Sequence, residues 1–500
     1  MDLLLMRSDT YVVTWIRTTK LQEIHSIKQQ FLKNKHRLRD FLSIYEEYMG
    51  NVFLRELKGQ ELDIQMDECF TIVKESITTE SQLTQFITRI GKEKMPPFML
   101  QFKVYLIPNY EVDSSIVIFK SNHSLTDGVG IQMLFCDIQD SNYDNQTTPT
   151  ENDANNSSKH LLDNTLDASQ LPFIRFQTKK EILLKYLNLI LMPYYAMRDA
   201  IISILPWNNV QLNWPSCQQM LLKQRDQQDQ TQSGETSKLI YQQCINHEID
   251  MVQLSQDFKV DELKALTRTL NCTINDLLLT IFALSLKQHL SDRGKFDPNR
   301  EKRQAVNVVI NQKQKPKLKS DIYYPNFLHN GKLIMPLNDD FQETLREIQK
   351  SMNKCKNSHD HYATVYFSRL LMLFLPRDGI EDTKNHIVSK QMRVNFSNIA
   401  GSTKSLKIGN SYSKDMNFKS FLNDTETMTV SVLSHCNILK FSICISQLML
   451  SGDALRDLMQ SKLLDLLSRN NLEQNELEML DKTEQQQKTV KKEDSKFKVN

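Results

Sequence analysis

The chain has 500 residues, more than the roughly 250–300 that one hydrophobic core usually serves, so two domains or a pseudo-twofold pair are expected. With 62 Lys and Arg against 60 Asp and Glu the formal charge is +2, which leaves no electrostatic case for a nucleic-acid partner. Eight cysteines without a C-x-x-C pair or ligand spacing predict no metal site and fit reduced thiols.

In chain order, the first apolar run at Met1–Met6 is too short for a secretory h-region, so secretion is not expected. Residues 21–57 carry apolar positions at helical spacing, Ile24, Ile27, Phe31, Leu38, Phe41 and Leu42, and predict one or two amphipathic helices. Thr79–Ile90 reads as a further helix, and Pro96-Pro97 ends it before an alternating strand at Leu100–Leu106. A turn through Pro108-Asn109 then leads into the strand read at the apolar run Ile116–Phe119.

That strand delivers the stretch on which the chemistry is expected to depend, Asn122-His123-Ser124-Leu125-Thr126-Asp127-Gly128, followed by the helical pattern from Ile131. His123 stands at the mouth of the strand. An imidazole is largely neutral near pH 7 and can accept a proton from a bound hydroxyl. Asp127 can cap the helix that starts at Gly128 or hold local geometry, and Gly128 allows a tight turn.

Residues 140–170 are Asn-, Asp-, Thr- and Ser-rich and read as a flexible polar insertion, and 216–240 as a Gln-rich linker. Between them, within 171–215, lies the apolar run Glu181–Trp207. Lys185, Asn188, Arg198 and Asp199 interrupt it and Pro193 kinks it. It reads as helices lying at a membrane surface or over a lipid-facing groove, or as a buried interdomain pair, with a membrane span the weakest of the three.

Phe258–Leu270 is helical, and Thr273-x-x-Asp276 ahead of an apolar run has the form of a capping box on a buried helix. Gln304–Ile310 is a strand, followed by a Lys-rich loop at 313–319. Thr427–Leu433 and Leu439–Ile445 read as two strands and Ala454–Leu467 as an amphipathic helix. The segments are therefore 1–139 and 241–470 as the two main units, with 471–500 a charged, disordered tail.

Asn122–Gly128 resembles the His-His-x-x-x-Asp-Gly signature of the CoA-dependent acyltransferase superfamily, with Asn122 in place of the first His. Other blocks follow in the order of its wax ester synthase/diacylglycerol acyltransferase branch. Thr273–Leu277 resembles the Asn-Asp block, and Pro325-Asn326 falls where a Gly-Asn pair is expected. Ser397-Asn398-Ile399-Ala400-Gly401 resembles Ser-Asn-Val-Pro-Gly. The departures are Asn311 for an Arg, Pro325 for the Gly and Ala400 for the Pro.

The resemblance implies an α/β fold of two chloramphenicol-acetyltransferase-like subdomains, each a mixed sheet with flanking helices, around a central tunnel. It implies transfer of a long-chain acyl group from acyl-CoA, a co-substrate, with no permanently bound cofactor, to a fatty alcohol or diacylglycerol. His123 would be the base, with Asp127 and Gly128 supporting it. Asn275 would be a candidate oxyanion donor, and Asn122, Asp276, Asn326, Ser397, Asn398 and Gly401 would line the tunnel or substrate entry. A neutral-lipid product fits a membrane-surface or lipid-droplet partner and the cytosolic face of the endoplasmic reticulum. The alternative is a catalytically inactive lipid-binding or membrane-associated protein of the same fold, suggested by Asn122, Asn311 and Ala400.

Overall fold

The strand predicted ahead of the motif forms as Ser114–Asn122 (β6), and its neighbours set the architecture of the first half. The computed structural model describes residues 11–35, 38–48, 51–138, 249–253, 256–294, 296, 302–311, 328–357, 394–420, 428–446, 451–470 and 472. On one side β6 pairs antiparallel with β1 (Tyr11–Thr18), and on the other with β5 (Phe102–Glu111). Beyond β5 lies β4 (Phe70–Ile72), which runs parallel to it. The other edge is completed from far along the chain. There β13 (Ser411–Ser420) pairs with β1, and β12 (Lys407–Ile408) pairs with β13, giving the order β12-β13-β1-β6-β5-β4.

Alternation along these strands separates two apolar faces. Val12, Ile16, Val117, Phe119, Phe102 and Val104 pack with α1 (Ile24–Lys33), α2 (Gly59–Cys69) and α4 (Gly128–Asp137). Val13, Trp15, Ile116, Ile118, Tyr105 and Ile107 pack instead under α3 (Glu80–Lys92). Helix α3 begins with a capping box, in which Gln82 N donates to Thr79 Oγ1 (3.3 Å) and Thr79 N to Gln82 Oε1 (3.2 Å).

The second sheet has the order β10-β9-β11-β14-β15-β7, from β9 (Arg303–Asn311), β10 (Leu328–Pro336), β11 (Val394–Ala400), β14 (Met428–His435), β15 (Ile438–Ser446) and β7 (Ile249–Gln253). The short β8 (Phe258–Lys259) pairs with β15. The sheet is mixed: β11 runs parallel to both β9 and β14, and the remaining pairs are antiparallel. Phe396, Val430, Val432, Phe441 and Ile443 form one apolar face. They pack with α5 (Val260–Thr269), α6 (Ile274–Asp292), α7 (Phe341–Asn357) and a helix over 452–470. The opposite face is turned to the first half. Ser442 Oγ donates to Phe418 O (2.8 Å), and the buried Asp415 carboxylate lies 3.3 Å from both Arg17 Nε and Lys440 Nζ.

The expected architecture of two mixed sheets with flanking helices is therefore present, with three corrections in detail. Residues 43–56 form a hairpin of β2 (Ser43–Tyr48) and β3 (Asn51–Glu56), where helical spacing had predicted helix. Tyr45, Tyr48, Val52 and Phe53 are strand formers on either side of Gly50, and they outweigh the 3.6 period. The turn after β5 falls at residues 112–113, because Pro108 and Asn109 (φ 55°) are absorbed into a register shift between Ile107 and Glu111. Residues 407–420 belong to the first sheet although they lie within the second segment of the chain. The polar insertion, the apolar run 181–207, the Gln-rich linker and the 313–319 loop lie outside the described residues. Among the described residues no single helix is long and apolar enough to cross a membrane, and no group of three or more His, Cys, Asp or Glu is placed to hold a metal ion.

Candidate active site

The motif occupies the exit of β6 and the first turn of α4, and its burial singles out one side chain. From Ser114 to Ile138 every residue is buried except His123, which is partly exposed. A hydrophobic strand and a hydrophobic helix thus hold one imidazole at a rim.

The turn is built by local side-chain hydrogen bonds. Asn122 is 4% exposed, and its Oδ1 accepts from Ser124 N (3.0 Å) and Ser124 Oγ (2.8 Å), an Asx turn enclosing His123. The Asn122 backbone N donates to Gln101 O (2.9 Å), and Leu125 N donates to Asn122 O (3.1 Å). Asp127 is the N-cap of α4, as predicted from sequence. It is fully buried, and its Oδ1 accepts from Gly130 N at 2.7 Å.

Gly128 is where the motif meets the second sheet. A Cβ placed there would overlap Ile399 Cδ1 of β11 and lie 3.6 Å from Phe418 of β13. Only a residue without a side chain permits this approach. Gly401 makes a second close passage, its N donating to Ser434 O (2.8 Å). A Cβ there would overlap that carbonyl and come within 3.2 Å of Gln132 Oε1 on α4. Both glycines therefore fasten α4 to the end of β11 and its continuation.

The other predicted residues fall in two groups. Asn398 Nδ2 donates to Asn275 Oδ1 (2.5 Å), so the structure brings these two together. Asn398 neighbours Ile399 on the strand, so its side chain leaves β11 on the opposite face, beneath α6. The bond leaves the Asn275 Nδ2 as the donor end of that amide. Asp276 closes a capping box. Thr273 N (3.0 Å) and Oγ1 (2.7 Å) donate to its Oδ2, and its own N donates to Thr273 Oγ1 (3.2 Å). Ser397 shares a face with Ile399 and pairs in register with Ser431. Asn311 ends β9, while Pro325 and Asn326 lie outside the described residues.

Tyr45 escaped sequence reasoning. Its hydroxyl hydrogen-bonds Ser124 Oγ from the β2–β3 hairpin, and no local signal links residues 79 apart. Ile399, whose side chain requires Gly128 to be a glycine, was equally invisible until the two halves were seen together.

With this geometry in place, the C-terminal part of the chain matches a family model, the WS/DGAT C-terminal domain, over residues 330–466. The resemblance read from the motifs is thus borne out, and the fold agrees over nearly the whole length. The wax ester synthase/diacylglycerol acyltransferase from Marinobacter aquaeolei VT8 superposes with a TM-score of 0.51 at 14% identity, covering 94% of this chain and 98% of that one. The starter condensation domain of rhizomide synthetase, in complex with C8-CoA, gives 0.52 at 8% identity over 92% and 89%. TRI3 trichothecene 15-O-acetyltransferase from Fusarium sporotrichioides gives 0.50 at 12% over 93% and 92%. These likenesses establish the two-subdomain fold. No curated protein matches the sequence.

Proposed function

We propose that the protein is an acyl-CoA-dependent O-acyltransferase that transfers a long-chain acyl group to a fatty alcohol or diacylglycerol, with His123 as general base. The observation that carries the reading is the solitary partial exposure of His123 in an otherwise buried strand–turn–helix. The turn is capped by Asp127, and residues 330–466 of the same chain match the WS/DGAT C-terminal domain model.

The chemistry follows from the imidazole. His123 takes the proton of the bound hydroxyl as that oxygen attacks the thioester carbonyl. The tetrahedral intermediate collapses with loss of the CoA thiolate, and the imidazolium returns the proton to sulfur. The products are an ester and free CoA. A base so placed contributes about 10²–10⁴-fold, and holding the two substrates together contributes more. Asp127 acts through geometry, whereas Asn275, which the resemblance offers as an oxyanion donor, is held by Asn398 on the face of β11 turned away from α4 and is not given that role. The ester is a neutral lipid, so a membrane surface or lipid droplet on the cytosolic face of the endoplasmic reticulum is the proposed location, supported by the apolar run 181–207.

The test is ester formation by the purified protein from radiolabelled palmitoyl-CoA with hexadecanol or dioleoylglycerol, beside His123→Ala. The expected result is product that falls by about 10²-fold or more in the variant. Equal product from both proteins, or none with either acceptor, refutes the reading. The second outcome would favour the non-catalytic lipid-binding alternative, for which Asn122 in place of the family's first His is the specific observation.

A further inference from the structure

We propose that Tyr45 and Ser124 are positioning residues for His123, an inference that deepens the acyl-transfer reading above and rests on it for its kinetic consequence. Three side chains form a directed chain of hydrogen bonds that ties the two residues flanking His123 to the β2–β3 hairpin. The Ser124 hydroxyl has a single proton, which it gives to Asn122 Oδ1 (2.8 Å). The hydroxyl of Tyr45 must therefore donate to Ser124 Oγ. Asn122 Oδ1 takes a second hydrogen bond from Ser124 N (3.0 Å), so both flanks of His123 are fixed to each other across it.

The far end of the chain is anchored. Tyr45 is 7% exposed, lies on β2 opposite Leu54 of β3, and its backbone N donates to Pro97 O (3.1 Å). Pro96 O and Met99 O in turn accept from Gln101 Nε2 (2.7 and 2.9 Å), and Gln101 O accepts from the backbone N of Asn122 (2.9 Å). The hairpin, the 96–101 loop and the motif turn thus close a circuit of contacts that passes through both neighbours of His123. Ser124 is 5% exposed, so these bonds operate out of water, where a buried hydroxyl left unpaired is costly. Pinning both neighbours fixes the backbone at His123 and hence the direction of its Cα–Cβ bond. A general base works only within hydrogen-bond reach of the proton it removes, and a displacement of about 1 Å costs on the order of 100-fold.

Tyr45→Phe keeps the ring and deletes only the donor, and Ser124→Ala deletes the middle link. With palmitoyl-CoA and hexadecanol, each is expected to lower kcat by about 10- to 100-fold. KM for palmitoyl-CoA should stay within about twofold, because the substrate contacts are untouched. The double variant should be no slower than the slower single, since both break one chain of hydrogen bonds. An unchanged kcat, or losses that multiply in the double variant, overturns the proposal.

A second measurement stands apart from turnover. The ring resonances of His123 in histidine-labelled protein, assigned with His123→Gln, are titrated in wild type and Tyr45→Phe. A moved titration midpoint or exchange broadening in Tyr45→Phe is expected, and superimposable His123 curves overturn the proposal. If wild type makes no ester while the His123 signals respond to Tyr45→Phe, the base assignment fails and the positioning role stands.

Discussion

Gly128→Ala is the substitution whose sign the structure decides against local expectation. At the first turn of a helix, Ala in place of Gly gains up to about 1 kcal/mol from backbone entropy. In this chain the added methyl falls on Ile399 Cδ1, and overpacking of that kind costs about 1–3 kcal/mol. The expected result is net destabilisation of about 1–2 kcal/mol. It should come with lower ester synthesis, because the helix start that follows Asp127 is pushed off β11. Ile399→Val removes the colliding Cδ1 and alone costs about 0.5–1.5 kcal/mol. In the double variant the methyl added at position 128 fills the space that Cδ1 vacates, so the two changes should compensate by about 1–2 kcal/mol relative to their sum. Urea unfolding followed by far-UV circular dichroism gives the four corners of the cycle, with ester synthesis measured on the same samples. A Gly128→Ala protein at least as stable as wild type, or strictly additive effects, would refute the close approach of α4 and β11.

Other outcomes follow from the same contacts. Burial pushes the His435 imidazole down from 6.5 to about 4, partly offset by Asp415. Its unfolded form therefore takes up a proton first as the pH falls, and stability present above pH 6.5 is lost progressively down to about pH 4. At about 1.4 kcal/mol per pH unit this is about 3 kcal/mol, and His435→Gln should flatten the pH dependence of the urea midpoint over that window; parallel curves would contradict it. Asp127→Asn keeps an Oδ1 acceptor for Gly130 N and should retain most activity, whereas Asp127→Ala loses the cap and about 1–2 kcal/mol of stability. Equal activity losses in the two would instead assign a role to the carboxylate charge. Thr273→Ala should cost about 1 kcal/mol in thermal or urea unfolding by opening the capping box on α6, and an unchanged midpoint would count against that cap.

Signals within a few residues of each other proved legible. The Asp127 cap, the Thr273–Asp276 box and the β14–β15 pair each show in sequence because their partners are neighbours in the chain. The order of blocks from Asn122–Gly128 to Ser397–Gly401 pointed to the family whose C-terminal domain model matches residues 330–466. What escaped was long-range. Neither β1 nor β13 was anticipated: Ser413, Asp415, Asn417 and Lys419 are alternate, polar residues along β13. All four are buried where β13 meets the second sheet, and Lys419 Nζ donates to Thr429 O at 3.3 Å. The pairing of Asn275 with Asn398 spans 123 residues, and that of Tyr45 with Ser124 spans 79, so neither contact is readable from the residues alone. Over β2 and β3 strand propensity outweighs the helical spacing of the apolar positions, so periodicity alone points to the wrong element.

The pairing of β1 with β13 also has a consequence for biogenesis. Strand β1 ends at Thr18 and its partner begins at Ser411, so one edge of β1 has no native neighbour until some four-fifths of the chain has been made. At the usual 5–20 residues per second, the ribosome takes roughly 20–80 s to supply it. Over that interval Val12 to Thr18 presents open backbone donors and acceptors along a hydrophobic strand, the kind of edge that recruits other chains. The nascent protein should therefore depend on chaperone cover late into its synthesis, and premature termination before residue 411 should yield an aggregating product rather than a stable half.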